Sequence, residues 1–412
     1  MATIAHVSPL APERFPEIGP VAGVRFATAA AGIRYRDRPD LALIEVPAGA
    51  SVAGVLTRSA TPGHPVLWCR KVLAKGRARA VIVNSGNANV FRGEEGDRAV
   101  EAEARAVATA LHCAPEEVLV ASTGVIGQRL PVERITAAVP GLVQGLRPEG
   151  IAEAARAIMT TDTFPKGSVA HTAIDGVPVT IAGIAKGSGM IAPDMATMLA
   201  FLVTDARLPS AVLQPLLAAA CEQSFNCITV DGDTSTSDTL LLLASGRAAH
   251  HPVHDPEDSR LAGFVDALRA VCEDLAVQVV RDGEGAQKLI EIGVEGAVSD
   301  ESAKRIAMTI ANSPLVKTAI AGGDANWGRV VAAVGRAHEP IELDRLSVAF
   351  GGHVVARDGA AVPELDEAPV AAHLAGRAIR IEVIVGRGPG RARVWTCDLT
   401  RGYVDINADY RS

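Results

Sequence analysis

The chain has 412 residues, 48% of them hydrophobic and only 3% aromatic, with a formal net charge of −7. That length can bury a large core and suggests two or three domains, or one large one. Few aromatic rings, an acidic balance (pI ≈ 5.8) and no basic run argue against a partner made of nucleic acid or an anionic membrane surface. The opening "MATIAHVSPLAPERFPEIGP" lacks the regions of a secretory signal, and no apolar stretch approaches bilayer-spanning length. Six scattered cysteines without a C-x-x-C pattern read as unpaired thiols in a reducing cytoplasm.

Along the chain, "AVIVNSGNANV" (residues 80–90) reads as an apolar strand breaking into turn chemistry, followed by a helix over "EGDRAVEAEARAVATALHC". "EEVLVASTGVIGQRL" repeats strand then turn, with the strand ending near Ser122 and the turn carrying Thr123 and Gly124. "GIAEAARAIMTTDTFPKGS" reads as a helix running to about Thr160 and Thr161, stopped by Pro165. Asp175-Gly176 between alternating segments predicts a hairpin, and "TMLAFLVTDA" a short buried strand. A helix over "LPSAVLQPLLAAACEQSF" and strands around the polar turn "DGDTSTSD" come next. A long helix from about Glu257 to Val280 precedes a strand at "GAQKLIEIGVEGA". "SAKRIAMTIANSPLVKTAIAG" reads as helix passing into apolar strand, and the tail holds short strands such as "AIRIEVIVG" and "RARVWTCDLT". Helices and strands mix without a strict βαβ rhythm, which favours layered α+β architecture over a doubly wound sheet.

Most of the candidate motifs have a bland reading that wins. "IAKGSGM" has the lysine before the glycine, the wrong order for a phosphate loop. "DGDTSTSD" lacks the sixth-position glycine and closing glutamate of a calcium loop, and "HHPVHD" is a Pro-rich surface segment without a matching ligand cluster. "GRGPGR" reads as a tight turn. "GGDANWGR" (Gly322 to Arg329), after an apolar strand, suits a structural turn and a substrate-lining loop equally. "DGEGAQK" (Asp282 to Lys288) sets two carboxylates at a helix end, either solvated or reading a substrate ammonium. "STGVIG" offers backbone N–H groups beside a glycine, a geometry that suits an oxyanion hole. An interior threonine is a poor nucleophile, but one that becomes an N-terminus gains its own α-amine as base. Thr197 follows a stretch with Gly187, Gly189, Pro193 and Ala196, where the chain could bend for an N-to-O acyl shift; as a bare pattern it is also an ordinary strand start.

Taken together, "GIAKGSGMIAPDMATMLAFLVTDA", "NSGNANV", "ASTGVIG", "IMTTDTFPK", "SFNCITVDGDTSTSDT", "GEGAQKLIEI", "NSPLVKTAIAGGDANWGR" and "CDLTRGYVDINADYRS" resemble, in order, the motifs of the ornithine acetyltransferases. These are the bifunctional glutamate N-acetyltransferases of arginine biosynthesis. The resemblance runs from about residue 80 to the last residue. It implies a layered α/β sandwich of the self-processing N-terminal-nucleophile type, with a smaller C-terminal α/β part. It implies self-cleavage between Ala196 and Thr197 into an α chain (1–196) and a β chain (197–412), associated as a heterotetramer of two of each.

The resemblance also assigns roles: Thr197 as nucleophile, Thr123 and Gly124 as oxyanion hole, and Thr160, Lys186, Thr197, Glu284, Asn407 and Ser412 as substrate contacts. Of the adjacent Thr160 and Thr161, the first is taken because the motif spacing to Thr123 and Thr197 is uninterrupted. Ser412 keeps the hydroxyl where the family often ends in threonine. The implied reaction moves acetyl from N2-acetylornithine to glutamate through an acetyl-Thr197 ester, with no cofactor or metal. Some members also take acetyl from acetyl-CoA, and no residue here distinguishes the two kinds. Two other functions remain compatible with the residues: a self-processed amidohydrolase or aminopeptidase passing the acyl group to water, and a non-catalytic amino-acid-binding protein.

Overall fold

The computed structural model describes residues 7–192 and 198–408. The chain forms two compact units. The larger comprises Pro12–Asn226 and Asp233–Val279; the smaller comprises Met1–Ala11, Cys227–Gly232 and Val280–Ser412.

In the larger unit the elements run β1 (Arg25–Ala29), β2 (Leu41–Leu56), α1 (His64–Leu73), β3 (Arg77–Asn87), α2 (Gly93–Leu111), β4 (Val118–Val125), α3 (Val132–Gln144) and α4 (Ile151–Ala157). They continue with β5 (Lys166–Ile174), β6 (Val177–Lys186), β7 (Leu199–Thr204), α5 (Ser210–Glu222), β8 (Thr239–Ala244) and α6 (Ala262–Arg281), which belongs to this unit as far as Val279. Among the described residues the strands form one eight-stranded sheet in the order β4-β3-β2-β8-β7-β6-β5, with β1 also on β2. The pairs β3/β4 and β7/β8 are parallel and the others antiparallel.

Side chains alternate across a strand, so a sheet covered on both faces needs apolar residues at odd and even positions alike. In β3, Val81 and Val83 enter one core with Ile44, Leu119, Ile151 and Phe201, while Ala80 and Ile82 enter another with Val100, Val107, Ile135 and Leu142 from α2 and α3. Each of these valine, leucine, isoleucine and phenylalanine side chains contributes about 1.5–3 kcal/mol on burial. The Asp175-Gly176 hairpin forms as predicted, with Ile174 opposite Val177 and both turn residues at positive φ (53° and 73°).

The smaller unit contains β9 (Leu289–Ala297), α7 (Asp300–Ala311), α8 (Pro314–Ala321), α9 (Trp327–Arg336), β10 (Ser347–Phe350), β11 (His353–Arg357), β12 (Ala360–Ala361), α10 (Ala368–Leu374), β13 (Ala378–Ile384), β14 (Gly390–Cys397) and α11 (Arg401–Ala408). Its described strands form a six-stranded sheet ordered β12-β11-β10-β13-β9-β14, in which only β9/β13 is parallel. Ile290, Ile292 and Val294 alternate into its core, and α7 buries Ala303, Ile306, Ala307, Ile310 and Ala311 at helical spacing.

The α+β class and the smaller C-terminal α/β part match the sequence reading. Several local expectations do not. β3 and β4 run on through Asn87 and Val125, so Thr123 and Gly124 sit in a strand rather than a turn. Helix α4 stops at Ala157, leaving Thr160 and Thr161 in a turn, and α6 begins at Ala262, after a 3₁₀ turn over Ser259–Leu261. "SPLVKTAIA" is helix, not strand: Pro314 occupies the first turn and the Ser313 hydroxyl accepts from the Val316 N–H at 3.4 Å. "GGDANWGR" therefore follows a helix, and Asn326 in it caps α9 by accepting from the Arg329 N–H. In the "HHPVHD" segment His250 is buried, its Nε2 accepting from the Arg207 N–H at 2.8 Å. No disulfide joins the six cysteines. Among the described residues no helix is long and apolar enough to cross a membrane.

Candidate active site

Lys186, the last residue of β6, is the hub of the larger unit's polar cluster. Its ammonium is buried and donates to the hydroxyls of Thr160 at 2.8 Å and Thr123 at 3.2 Å. A hydroxyl that accepts from an ammonium keeps its own hydrogen to donate elsewhere. Lys186 therefore turns both threonines into directed donors.

Asp162 sets this geometry from below. Its Oδ2 accepts from the Thr160 N–H at 2.9 Å and lies 4.0 Å from the Lys186 ammonium; its Oδ1 accepts from Lys166 at 2.7 Å and from the Gly187 N–H at 2.6 Å. Burial alone would raise its pKa, but the ammoniums of Lys166 and Lys186 outweigh that and hold it well below the usual carboxylate range. The turn from α4 into this cluster is pinned from outside: Ser85 donates to the Ala157 carbonyl at 2.8 Å and Arg38 to that of Met159 at 2.6 Å.

Gly124 lies beside Thr123 at φ 130°, and a Cβ there would come 2.3 Å from the Gly86 carbonyl carbon. Only glycine fits, because β3 and β4 approach at an irregularity in their register around Gly86 and Asn87.

At the start of β7, Leu199 is paired with Lys186 on one side and Thr239 on the other. Met198 is held twice: its N–H donates to Asp238 Oδ1 at 3.0 Å, and its carbonyl accepts from the Thr239 N–H at 3.1 Å. Asp238 is fully buried, which pushes its carboxyl pKa well above the ordinary value despite hydrogen bonds from the Met198 N–H and the Ser235 and Thr57 hydroxyls and the positive charge of Lys186.

In the smaller unit, Glu284 and Asn407 meet: the Asn407 amide donates to Glu284 Oε2 at 2.7 Å. Gly285 makes this approach possible, since a Cβ there would lie 2.4 Å from the Tyr403 nitrogen at the start of α11. Asp282 and Glu284 are both buried, so this segment is not the solvated helix terminus that the sequence allowed.

The structure thus brings together Thr123, Gly124, Thr160 and Lys186 in one unit, and Glu284 and Asn407 in the other. Ala196, Thr197 and Ser412 lie outside the described residues. Among the described residues no cluster of His, Cys, Asp and Glu has the makings of a metal site. Sequence reading missed Asp162, Lys166 and Asp238. An acid and a lysine four residues apart in "DTFPK", and an aspartate abutting the apolar run "TLLLLA", were the available signals.

The model of the ArgJ family matches residues 25–412. "Arginine biosynthesis bifunctional protein ArgJ" of Gluconobacter oxydans is 58% identical over 412 residues, covering 100% of this chain and 97% of its own. The protein of the same name from Bradyrhizobium diazoefficiens is 54% identical over 411 residues, 99% of this chain and 100% of that one. Among solved structures, the Bacillus halodurans arginine biosynthesis bifunctional protein ArgJ is similar at 42% identity and TM-score 0.49, covering 50% of this chain and 97% of that one. The Mycobacterium tuberculosis ornithine acetyltransferase complexed with ornithine aligns at 40% identity and TM-score 0.37, over 42% of this chain and 92% of that one. On the family match over nearly its whole length and on relatives above 50% identity, the chain belongs to the ArgJ family.

Proposed function

We propose that this protein transfers acetyl from N2-acetylornithine to glutamate by a ping-pong route through an acetyl-Thr197 ester, after cutting itself between Ala196 and Thr197. The observation that carries the reading is the buried ammonium of Lys186, bonded to both Thr123 and Thr160 and paired in register with the residue that opens β7. The relatives named for arginine biosynthesis supply the reaction class.

In this mechanism the Thr197 hydroxyl attacks the acetyl carbonyl while the freed α-amine of the same residue takes its proton. Negative charge grows on the carbonyl oxygen, where the Thr123 and Gly124 donors stabilise it. The carbon–nitrogen bond breaks, the proton passes to the departing amine, and ornithine leaves. Glutamate's amine then attacks the ester and restores the threonine. Lys186 pairs with a substrate carboxylate, and Glu284, fixed by Asn407, with the ornithine side-chain ammonium. The α and β chains stay associated as a heterotetramer, and the enzyme works in the cytoplasm.

The test uses purified protein with acetylornithine and glutamate. Acetyl transfer should depend on glutamate, and Thr197→Ala should abolish both transfer and chain cutting. Rapid acetylornithine hydrolysis without glutamate would instead make this a hydrolase. Running acetyl-CoA as donor in parallel tells a one-function from a two-function enzyme.

A further inference from the structure

A carboxylate that selects a substrate ammonium is useful only where it is held, since a misplacement of about 1 Å can cost about 100-fold. Glu284, read above as the contact for the ornithine ammonium, sits between Gly283 and Gly285, and a residue flanked by glycines is not held by its own backbone. What fixes it is the surface beneath. A Cβ on Gly283 would lie 2.8 Å from Cys397 Sγ and 3.4 Å from Val230 Cγ1, and one on Gly285 would meet the Tyr403 nitrogen. The Thr400 hydroxyl donates to the Gly285 carbonyl at 2.7 Å. The Tyr403 hydroxyl donates to Asp231 Oδ2 at 3.2 Å, so α11, which carries Asn407, rests on the same 227–232 segment as Gly283.

Lys317 lies one layer below, on the buried side of α8 and 4% exposed. Its ammonium donates to the Val230 carbonyl at 2.8 Å and to the Thr396 hydroxyl at 2.7 Å, and lies 3.9 Å from Cys397 Sγ. Val230 and Cys397 are the two side chains that Gly283 packs against. The Lys317 carbonyl accepts from the Leu399 N–H at 3.4 Å, a second tie to the chain that leaves β14. None of the ammonium's partners among the described residues is a carboxylate. A buried cation without a paired anion is costly, and Lys166 and Lys186 in the larger unit avoid that situation by sharing Asp162. An apolar side chain would fill the same space without that penalty. The charge stands where it bonds both supports of Gly283 at once.

We propose that Lys317 is a positioning residue for Glu284. It joins β14 to the 227–232 segment, keeps Cys397 and Val230 at a fixed separation, and so sets where the 283–285 segment presents its carboxylate to a substrate ammonium. Lys317 acts through Glu284 and not on the substrate. Its effect is therefore on the choice between substrate side chains and leaves the acetyl-transfer chemistry alone. The inference rests on the reading of Glu284 as the ornithine contact.

The readout is a preference between two acetyl donors, with glutamate as acceptor. N2-acetylornithine is compared with N2-acetylnorvaline, whose side chain has the same carbons but no terminal ammonium. Wild type should favour acetylornithine by about 10- to 100-fold in kcat/KM, the worth of one charged hydrogen bond, and Glu284→Gln should lose most of that preference. Lys317→Met, which fills the space without charge or donors, should lower the preference at least about fivefold while kcat/KM for acetylnorvaline stays within about threefold of wild type. Added to Glu284→Gln it should lower the preference no further, because both changes remove one contact. Thr396→Val takes away one of the ammonium's two oxygen partners and should lower the preference by a smaller factor. An equal fall for both donors, or an unchanged preference, in Lys317→Met would overturn the positioning role. If Lys317→Met does not fold, an unchanged preference in Thr396→Val, or failure of that variant to fold as well, would overturn it. A preference that survives Glu284→Gln would overturn the reading of Glu284 itself, whatever Lys317 does.

Discussion

The two units hold their carboxylates in opposite ways. In the larger unit Asp162 is sealed inside with Lys166 and Lys186, each of the three nearly or wholly withdrawn from water; the Lys166 contact is local in the chain and the Lys186 contact joins two distant parts of it. In the smaller unit Glu284 is met by a neutral amide on the exposed face of α11, close to the end of the described chain. Taking charges out of water is costly unless they are paired and hydrogen-bonded, so the first arrangement makes the fold itself depend on the site. One unit holds a preorganised electrostatic frame, and the other supplies the specificity contact of the proposed reaction.

That contrast breaks most sharply at Asp162. Asp162→Asn leaves two buried ammoniums without their carboxylate and should cost about 3–5 kcal/mol of stability, read as a lower denaturant midpoint. The sign with pH follows. A carboxyl whose folded pKa is depressed contributes stability that is present above the ordinary carboxylate range and lost as pH falls, so the variant's acid limb should be flatter than wild type's.

Glu103 in α2 sharpens the comparison from the other side. It is fully buried in the larger unit with both carboxyl oxygens lacking a hydrogen-bond partner among the described residues, and burial pushes its pKa up to about 8. The folded chain therefore binds a proton that the unfolded chain has lost, and stability falls as pH rises from about 4.5 to 8. Glu103→Gln should remove that slope, gaining on the order of 3 kcal/mol relative to wild type between pH 5 and pH 7. Melting curves at several pH values measure it.

The smallest effect is expected at Glu284. Glu284→Gln keeps a carbonyl oxygen to accept from the Asn407 amide and should lower the melting temperature by only a few degrees. It should raise KM for acetylornithine roughly 10- to 100-fold, the worth of one charged hydrogen bond, with a lesser change in kcat. A large loss of stability there would erase the distinction between the units.

The sequence made some of this visible. Strands with apolar residues at both parities, the Asp175-Gly176 turn and the motif order around Thr123, Lys186 and Glu284 are local signals, and local signals survive in a string of letters. The misreadings arose where tertiary context decided the outcome. Gly124 looked like a turn because only the approach of Gly86 shows that a strand continues there. The run "PLVKTAIA" is apolar enough for a strand, and its Ser313 cap decides for helix. Asp162 and Asp238 carried only weak local signals, the lysine four residues after Asp162 and the apolar run after Asp238, and neither tells that the carboxylate will be buried, which the tertiary fold decides.

The central claim is that Thr197, freed by chain cutting, carries the acetyl group. The most direct measurement incubates the purified enzyme with N2-acetylornithine and no glutamate, quenches in acid, and takes the intact mass of the chains and of their peptides. The account predicts a C-terminal chain beginning at Thr197 and carrying one acetyl group on that residue, which glutamate removes. A single uncut 412-residue chain, or a cut chain that transfers acetyl without ever holding it on Thr197, would contradict it.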